Sequence, residues 1–460
     1  MRLDRLTIFS HLWAIAGVAE AARWMWDEVP WNWVLLPTSL ALFAFPGSVA
    51  CLVIFAITQI GFHALVPHMP WNHGLFMALM NGAILASVAR VYTRTSRGDD
   101  RPATREAIVD HFAPTLRLSL IFLYGWAFVH KLNWDFLDPK CSCAGYLLPF
   151  LNTKYGVLPT GVAMTQLGIW STLIVESAVP VLLCFRRTIG LAMVLGTAFH
   201  LFLSQFGGLF GFAAVMYAVY FLFLPPSFTD DLANRMEDVL TRLYLRRFRS
   251  WLSPMLALAI PTTGLLLRAV HGSSALDTGL WWWNAWVLLV VGCFARPLEL
   301  AIRAPAAVPL TPVWRPLWAV PVVVLVNGAC PYLGLKTETS WSMYSNLRTE
   351  VRPNHLFMPE WLKVASYQDD LVEIVETSHP ALQGYRQPGP LMTFFEFRRT
   401  CSQTTEDFRV VYRRNGVECV LELVNGVSTD PTVTRPHGWL MDNLLRFRPV
   451  DATGPATCRH

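Results

Sequence analysis

Long apolar runs recur through the first 330 residues of the chain and constrain its fold more than any other feature. A helix needs roughly 20 such residues to cross a bilayer. Only 15% of the 460 residues are charged, whereas soluble domains carry about a quarter. The pattern predicts an all-α polytopic membrane bundle, a multi-pass integral membrane protein in contact with lipid.

The apolar segments lie at 8–26, 33–45, 48–66, 74–91, 118–137, 165–185, 188–206, 209–224, 253–270, 280–297 and 314–333. The second segment is short for a crossing and precedes Pro46-Gly47, which makes it a candidate half-helix. We therefore predict about 9–11 transmembrane helices. They form a transmembrane domain over 1–333. No cleavable signal peptide is predicted, because the first run contains charged residues and ends in no small-residue cleavage site.

Arginine-rich loops predict the orientation of these spans. The loops lie at 90–105, 186–187, 235–249 and 296–315. The positive-inside rule makes them cytoplasmic, which places the N-terminus in the cytoplasm and the residues after 333 on the non-cytoplasmic side. The net charge of +5 is concentrated in these loops and does not indicate a nucleic-acid partner.

Residues 334–460 differ in character and predict a small extramembrane α+β domain. "YRRNGVECVLEL" is typical of a β-hairpin around Asn415-Gly416. "GPLMTFFEFRRTCSQ" predicts a short amphipathic helix. No CxxC pair occurs, so no metal is expected. On an oxidising side the domain is expected to contain a disulfide whose pairing the sequence leaves open. The candidate cysteines are Cys401, Cys419 and Cys458, with Cys330 nearby.

A lysine and a histidine fall inside two predicted spans. At 1.5 Å per residue, Lys131 lies about 9 Å before Leu137, where its span is predicted to end. A lysine extending to the interface is the simpler interpretation. His200 is predicted at a similar depth, and it shares one helix face with Gly196 and Ser204. Hydrogen bonding between helices is the simpler interpretation of this histidine.

Further polar residues lie at similar positions. Asn72 and His73 open the 74–91 span, where an ordinary interfacial turn is the alternative. Glu176 lies near the middle of its span, one turn before Pro180. Taken together, Lys131, His73, His200 and Glu176 predict a shared cavity in the outer leaflet. Removing water from an amine disfavours its charged form, and a neutral amine can act as a base.

The same stretches resemble the HTTM (horizontally transferred transmembrane) domain family, which is shared with vitamin K-dependent γ-glutamyl carboxylase. The resemblance covers roughly residues 60–226 and 334–357. It is carried by "WNHGLFMALMNGAIL", "FVHKLNWDF", "RTIGLAMVLGTAFHLFLSQFG" and "SWSMYSNLR". Residues 334–460 are far fewer than the large luminal region of the carboxylase.

The resemblance implies roles for individual residues. Lys131 corresponds to the catalytic base, His73 to the histidine near the quinol, and Arg348 to the arginine that contacts the substrate carboxylate. Met343 and Tyr344 take pocket-lining positions. The remaining candidates are His200 for catalysis, Trp341 and Asn346 for substrate binding, and Asn72, His130, Ser204 and Glu176 for cofactor binding.

The family reaction oxidises reduced vitamin K with O₂ while a glutamate side chain takes up CO₂. The resemblance therefore implies reduced vitamin K or another quinol as cofactor, O₂ and CO₂ as co-substrates, and no metal. The implied partner is a glutamyl peptide or a small carboxylate. Two other functions stay open: a membrane protein that binds a quinone or lipid without carboxylation, and a proton-coupled transporter. The absence of internal sequence symmetry disfavours transport.

Overall fold

A computed structural model describes residues 3–24, 32–65, 71–94, 102–146, 148–149, 161–205, 209–242, 308–358 and 360–459, together with 254, 255, 259, 283–285 and 287. The chain divides into two compact units. The first unit comprises Met1–Tyr124 and Val175–Val324, and the second comprises Gly125–Ile174 and Leu325–His460. The tail predicted as a separate domain, 334–460, lies wholly in the second unit together with the segment around Lys131. Most of the predicted 253–270 and 280–297 spans lie outside the described residues.

The described part of the chain is mostly helical before residue 330. Its helices are α1 (Arg5–Trp24), α2 (Asn32–Ala44), α3 (Val49–Leu65), α4 (Asn72–Tyr92), α5 (Pro102–Lys131), α6 (Trp134–Leu137), α7 (Val162–Leu183), α8 (Ile189–Leu203), α9 (Phe210–Phe221), α10 (Pro226–Arg242) and α11 (Ala319–Ala329).

Three of the described helices, α4, α5 and α7, are long and apolar enough to cross a membrane. The pair formed by α9 and Pro226–Arg235 also passes as one span, bent by 107°. The bend falls at Pro225-Pro226, because a proline disfavours helical geometry in the residue before it. Helices α2, α3 and α8 are apolar but shorter. These features are those of a membrane protein, as predicted. The finer count of 9–11 spans stays a prediction.

Within the first unit, α1 packs against α2 and α9, and α3 packs against α4. Small residues allow close approach: a Cβ added to Gly17 would lie 2.6 Å from the Ser39 hydroxyl oxygen. Several residues of α1 are fully buried, among them Phe9 and Trp13. The interior of this unit therefore contains large aromatic side chains of α1 together with the buried hydroxyl of Ser39.

The second unit contains an antiparallel sheet in the order β2-β1-β3-β4-β5. The strands are β1 (Leu371–Thr377), β2 (Met392–Thr393), β3 (Phe408–Arg414), β4 (Val417–Val424) and β5 (Val427–Ser428), and the small helices are α12 (Phe394–Ser402), α13 (Pro431–Thr434) and α14 (Trp439–Leu444). Single 3₁₀ turns cover Arg315–Trp318, Glu360–Leu362 and Pro380–Tyr385.

The predicted hairpin and helix of the tail are confirmed. Strands β3 and β4 join through Asn415 and Gly416, whose φ angles of 51° and 78° are those of a type I′ turn. Helix α12 begins after Thr393, whose hydroxyl accepts a hydrogen bond of 3.2 Å from the Glu396 amide. Phe397 of this helix is fully buried in the core beneath the sheet.

The structure contains one disulfide among the described cysteines, between Cys143 and Cys458. The expected group therefore supplies one partner, Cys458, and the other comes from the segment after α6. The other three predicted candidates are free thiols: Cys330, Cys401 and Cys419. The bond links residues 315 positions apart and fixes the end of the chain near the end of α6.

We expect loss of this bond to destabilise the second unit. A Cys143→Ser/Cys458→Ser variant should lower the midpoint of thermal unfolding, since a native disulfide contributes about 2–5 kcal/mol. Intrinsic fluorescence in detergent measures the midpoint with and without a reductant. Cys141→Ser removes a neighbouring free thiol and serves as the control. An equal effect of the reductant on the double variant would contradict the expectation.

Candidate functional site

Lys131 is the last residue of α5, so its predicted position two turns before the end of the helix is wrong. The helix ends there because Asn133 takes an extended conformation, with φ −142° and ψ 159°, and begins α6. The apolar residues of α6 continue the apolar run in sequence but belong to a separate helix. Lys131 is nevertheless buried, with 5% of its surface exposed.

The Lys131 ammonium points back along its own helix. Its Nζ donates to the Ala127 carbonyl over 3.3 Å. The same nitrogen lies 6.0 Å from the centroid of the Phe136 ring, within reach of a cation–π interaction. The amine therefore lies against backbone and an aromatic ring at the end of a membrane-length helix.

Asn133 holds this helix end in place with its side chain. The amide Nδ2 donates to the His130 carbonyl over 2.8 Å and to the Ser345 carbonyl over 2.6 Å. The side-chain oxygen accepts a hydrogen bond of 2.8 Å from the Phe136 amide. The side chain thus closes α5, caps α6 and connects both to the segment at 345.

Backbone bonds reinforce the connection to this segment. The Trp134 amide donates to the Asn354 carbonyl over 3.0 Å, and the Leu356 amide donates to the Leu132 carbonyl over 3.0 Å. The two chain segments are therefore paired on both sides of Asn133. The "HKLNWD" motif is therefore joined by hydrogen bonds to the stretch that follows "SWSMYSNLR".

His130 lies in a cluster of aromatic rings. Its Nε2 is 2.9 Å from the Gly328 carbonyl oxygen. The ring stacks on Trp126, with centroids 5.4 Å apart, and lies 5.5 Å from Tyr332. Glycine is required at 328 because a Cβ there would collide with the Trp126 ring. Tyr332 is 5% exposed, and its hydroxyl has no hydrogen-bond partner in the described part of the chain.

The strip from Thr339 to Val351 has an unusual backbone. Five non-glycine residues have positive φ angles: Thr339 (53°), Trp341 (64°), Tyr344 (51°), Asn346 (52°) and Val351 (41°). Positions of this kind cost free energy and cluster at functional sites. Trp341 is fully buried, whereas Met343 and Tyr344 are only partly buried. The sequence alone gives no signal for this conformation.

Asn346, predicted to bind substrate, has its side chain engaged within the fold. The Asn346 oxygen accepts a hydrogen bond of 2.7 Å from the Cys143 amide. Its Nδ2 donates to the Cys141 carbonyl over 3.1 Å and to the Ala456 carbonyl over 2.8 Å. These bonds hold the two segments that the disulfide joins.

Arg348 is likewise held by backbone carbonyls. Its Nε donates to Arg352 over 2.8 Å, and its Nη1 donates to Asp451 over 3.0 Å and Gly454 over 2.9 Å. Only Nη2 faces a carboxylate, that of Asp135 at 4.0 Å. The guanidinium therefore holds the segment from Asp451 to Gly454 in place.

A second group of candidates lies in the first unit, and all of them are buried: Asn72, His73, Glu176, His200 and Ser204. His200 Nε2 is 2.5 Å from the Tyr124 hydroxyl, which also bonds the Tyr220 hydroxyl. The Glu176 carboxyl interacts electrostatically with Tyr124. The two tyrosines were not predicted as site residues.

The structure brings the two predicted imidazoles to one aromatic ring. Phe212 lies 5.4 Å from the His200 ring and 6.5 Å from the His73 ring, centroid to centroid. The predicted stripe of Gly196, His200 and Ser204 contains a sequence signal for the Tyr220 contact. Gly196 has no side chain, and this leaves room for the Tyr220 hydroxyl. The Ser204 hydroxyl donates to the Leu201 carbonyl over 2.6 Å, so this side chain caps α8. A cavity shared by these groups and Lys131 stays a prediction.

Comparisons with known proteins found no match to a family model, to a curated protein or to a solved structure. In the described part of the chain, no group of three histidine, cysteine or acidic side chains is arranged to hold a metal ion.

A buried charged cluster lies behind the strained strip. Arg448 Nη2 donates to the Ser342 hydroxyl over 2.7 Å, and its Nε lies 3.6 Å from the Glu338 carboxylate. Lys336 Nζ donates to Thr339 over 3.4 Å. Burial lowers the pKa of Lys336 to about 8, and burial raises the pKa of Glu338. Charged Lys336 therefore costs free energy in the folded state.

We expect Arg348→Ala to lower the midpoint of thermal unfolding. The change removes three hydrogen bonds from a charged donor, which corresponds to a loss of about 2–4 kcal/mol. Arg352→Ala is the matched control, because that side chain is exposed and only its carbonyl takes part. A variant as stable as wild type would show that the guanidinium is not needed for the fold.

We expect Lys336→Met to change the pH dependence of stability. The lysine binds a proton less tightly when folded, with a pKa of about 8 against 10.5 for the ordinary side chain. Between these values the unfolded state binds more protons, so this lysine makes wild-type stability rise with pH. The gain from methionine should therefore be larger at pH 7 than above pH 9, measured as thermal midpoints. A gain that is the same at both pH values would contradict the burial of a charged amine.

Proposed function

We propose that the chain is an integral-membrane enzyme that oxidises a reduced quinone with Lys131 as the base. The observation that supports this proposal is the burial of Lys131 at the carboxyl end of a membrane-length helix, in a position defined by Asn133. A buried amine is a costly group to retain for structure alone, and it is a suitable base when it is neutral. The proposed reaction is of the vitamin K-dependent carboxylase type.

We propose that the aromatic cluster around His130, the residue before Lys131, binds the planar ring of the quinol. His130, Trp126 and Tyr332 offer aromatic surface, and the Tyr332 hydroxyl has no hydrogen-bond partner among the described residues. We propose that these rings bind the quinol head group while Lys131 accepts a proton from its hydroxyl. When bound, the quinol would be oxidised by O₂, and this oxidation would supply the strong base that deprotonates a carbon acid. Exclusion of water from such a site protects a carbanion until CO₂ adds.

We propose that the two imidazoles of the first unit, those of His73 and His200, transfer protons. His200, Tyr124 and Tyr220 form a connected set of groups that can both donate and accept hydrogen bonds. The rings of His73 and His200 both pack against the Phe212 ring. The Glu176 carboxyl interacts electrostatically with Tyr124. We propose Asn72 and Ser204 as further polar contacts in this part of the molecule.

We also propose a polytopic bundle of about 9–11 spans with the N-terminus cytoplasmic and the second unit's sheet domain on the non-cytoplasmic side. The Cys143–Cys458 disulfide supports this orientation, since disulfides persist in oxidising compartments.

The acceptor substrate is proposed to be a glutamyl peptide or a small carboxylate. The partly buried Met343 and Tyr344 are its proposed contacts, together with buried Trp341. Arg348 offers only its Nη2, because Nε and Nη1 bind carbonyls. Because most of the Arg348 guanidinium is occupied by backbone carbonyls, a second candidate function is favoured. This candidate is a membrane protein that binds a quinone or lipid and has no carboxylase activity.

We expect Lys131→Ala to abolish formation of quinone epoxide. The assay supplies the purified protein in lipid nanodiscs with vitamin K hydroquinone, bicarbonate, O₂ and a glutamyl peptide. Lys131→Arg should be equally inactive, because arginine keeps the positive charge and cannot act as a base. Lys140→Ala changes an exposed lysine of the same region and should retain full activity.

The outcomes separate the candidates. Epoxide that depends on Lys131, with carboxylated peptide, supports the proposal. Binding of the quinol without epoxide in the wild type supports the second candidate. Epoxide formation that survives in both Lys131 variants would exclude Lys131 as the base.

A further inference from the structure

The first unit contains a polar network made of side chains other than those assigned above. The network contains four fully or almost fully buried side chains from α1, α3 and α4: Trp13, Glu20, Gln59 and Asn81. Trp13 Nε1 donates to Asn81 Oδ1 over 2.8 Å, and Asn81 Nδ2 donates to Gln59 Oε1 over 2.9 Å. Gln59 Nε2 then donates to Glu20 Oε2 over 3.3 Å and to the Gly74 carbonyl over 3.1 Å.

The direction of these hydrogen bonds is fixed by the indole. Trp13 can only donate, so Asn81 must turn its oxygen toward it and its amide nitrogen toward Gln59. Gln59 must in turn present its nitrogen to Glu20. Both hydrogens of that nitrogen are used, and Glu20 receives a donor at Oε2. The other carboxyl oxygen, Oε1, faces Gly74.

Gly74 provides the space for this oxygen and for an imidazole. A Cβ added to Gly74 would lie 2.7 Å from Glu20 Oε1 and 3.3 Å from His63 Nδ1. His63 is only partly buried, in the last turn of α3. A buried carboxyl oxygen and a more accessible imidazole nitrogen therefore lie against the same glycine.

We propose that Glu20 is a proton-binding site with a single entrance, loaded and emptied through His63. The proton bonds to Oε1, and it comes from and returns to His63 Nδ1 or water beside it. Amides and an indole N–H do not accept a proton, so Gln59, Asn81 and Trp13 cannot pass it onward. The site is therefore an acid–base group reached from one side and not part of a path across the membrane.

The ligand chemistry favours a proton over a metal cation. A cation would need several oxygen ligands, whereas Gln59 presents N–H to the carboxylate. Gln59 holds the carboxyl group in place in either protonation state, because Oε2 can accept its hydrogen bond throughout.

Other titratable groups on the neighbouring helices have separate contacts. Helix α2 carries none, and α3 carries only Cys51 besides His63. On α4, His73 contacts Gly211, Arg90 lies over Trp314, and Tyr92 lies at the opposite end of the helix from Gly74. On α9, the hydroxyls of Tyr217 and Tyr220 bond Thr197 and Tyr124. Among the described residues of these helices, His63 is the titratable side chain that lies against the same glycine as Glu20.

Infrared spectroscopy of the full chain in lipid tests the proposal. We expect a protonated-carboxyl band at a pH where exposed carboxyls are ionised, and we expect the difference spectrum of wild type minus Glu20→Gln to contain a component of this band. The substitution keeps the shape of the side chain and an oxygen for Gln59. Glu418→Gln alters an exposed carboxyl and should leave the band unchanged. A band of unchanged intensity in Glu20→Gln, or no such band in wild type, would overturn the site.

The entrance is tested by exchange into D₂O. We expect the deuterium shift of the Glu20 band to be slower in His63→Phe than in wild type, and an unchanged rate would overturn the role of His63. Should Glu20→Gln fail to fold, labelling of wild type by dicyclohexylcarbodiimide replaces it, because this reagent modifies protonated carboxyls in apolar surroundings. Peptide mass spectrometry should find the label on Glu20, and an unlabelled Glu20 would overturn the proposal. None of these outcomes depends on the quinone chemistry.

Discussion

The side chain of Asn133 connects the end of α5, the start of α6 and the carbonyl of Ser345 through three hydrogen bonds. It is fully buried, so each of these bonds replaces one that water would otherwise make. Because Lys131 is the last residue of α5, the cap that ends the helix also defines where the amine lies. The position of this lysine at the end of α5 is therefore a consequence of an asparagine two residues away and not of the apolar run around it.

Local chemistry made some elements of this chain predictable. Asn415-Gly416 predicted its hairpin because both residues tolerate positive φ angles, and the helix at Phe394–Ser402 follows from an amphipathic pattern after a threonine cap. Lys131 shows the limit of such patterns. Phe136 and Leu137 are apolar and extend the hydropathy signal, but a single asparagine cap outweighs them. The cap was readable in principle, since asparagine is a favoured residue before a helix.

Contacts between distant residues were not predictable in the same way. Cys458 was a candidate for a disulfide, but its partner at Cys143 lies 315 positions away. The carbonyls that bind Arg348 come from Arg352, Asp451 and Gly454, and no spacing in the sequence indicates them. Tyr124 and Tyr220 likewise meet His200 only through the packing of their helices. A pattern identifies which side chains are polar within an apolar run, whereas packing decides what each one touches.

The two polar networks of the first unit differ in what they can carry. Tyr124, Tyr220 and His200 both donate and accept, so a proton can enter such a set at one group and leave at another. The network that ends at Glu20 consists of amides and an indole, and it orients a carboxyl without passing a proton. A buried polar group in an apolar helix is costly in either case. The hydrogen bonds of each network offset part of this cost, and the kind of donor determines whether a proton can pass along the network or only bind at its end.

The strip around Trp341 combines backbone strain with fixed side chains. Five positive φ angles outside glycine require neighbouring contacts strong enough to hold them, and Asn346 and Arg348 supply such contacts by binding carbonyls of remote segments. The polar groups that a sequence comparison would assign to substrate thus also maintain the shape of the strip. Met343 and Tyr344, the proposed contacts of a ligand, are partly buried in the same strip. Specificity at this surface would then come mainly from shape and apolar contact, with charge contributed through the single Nη2 of Arg348.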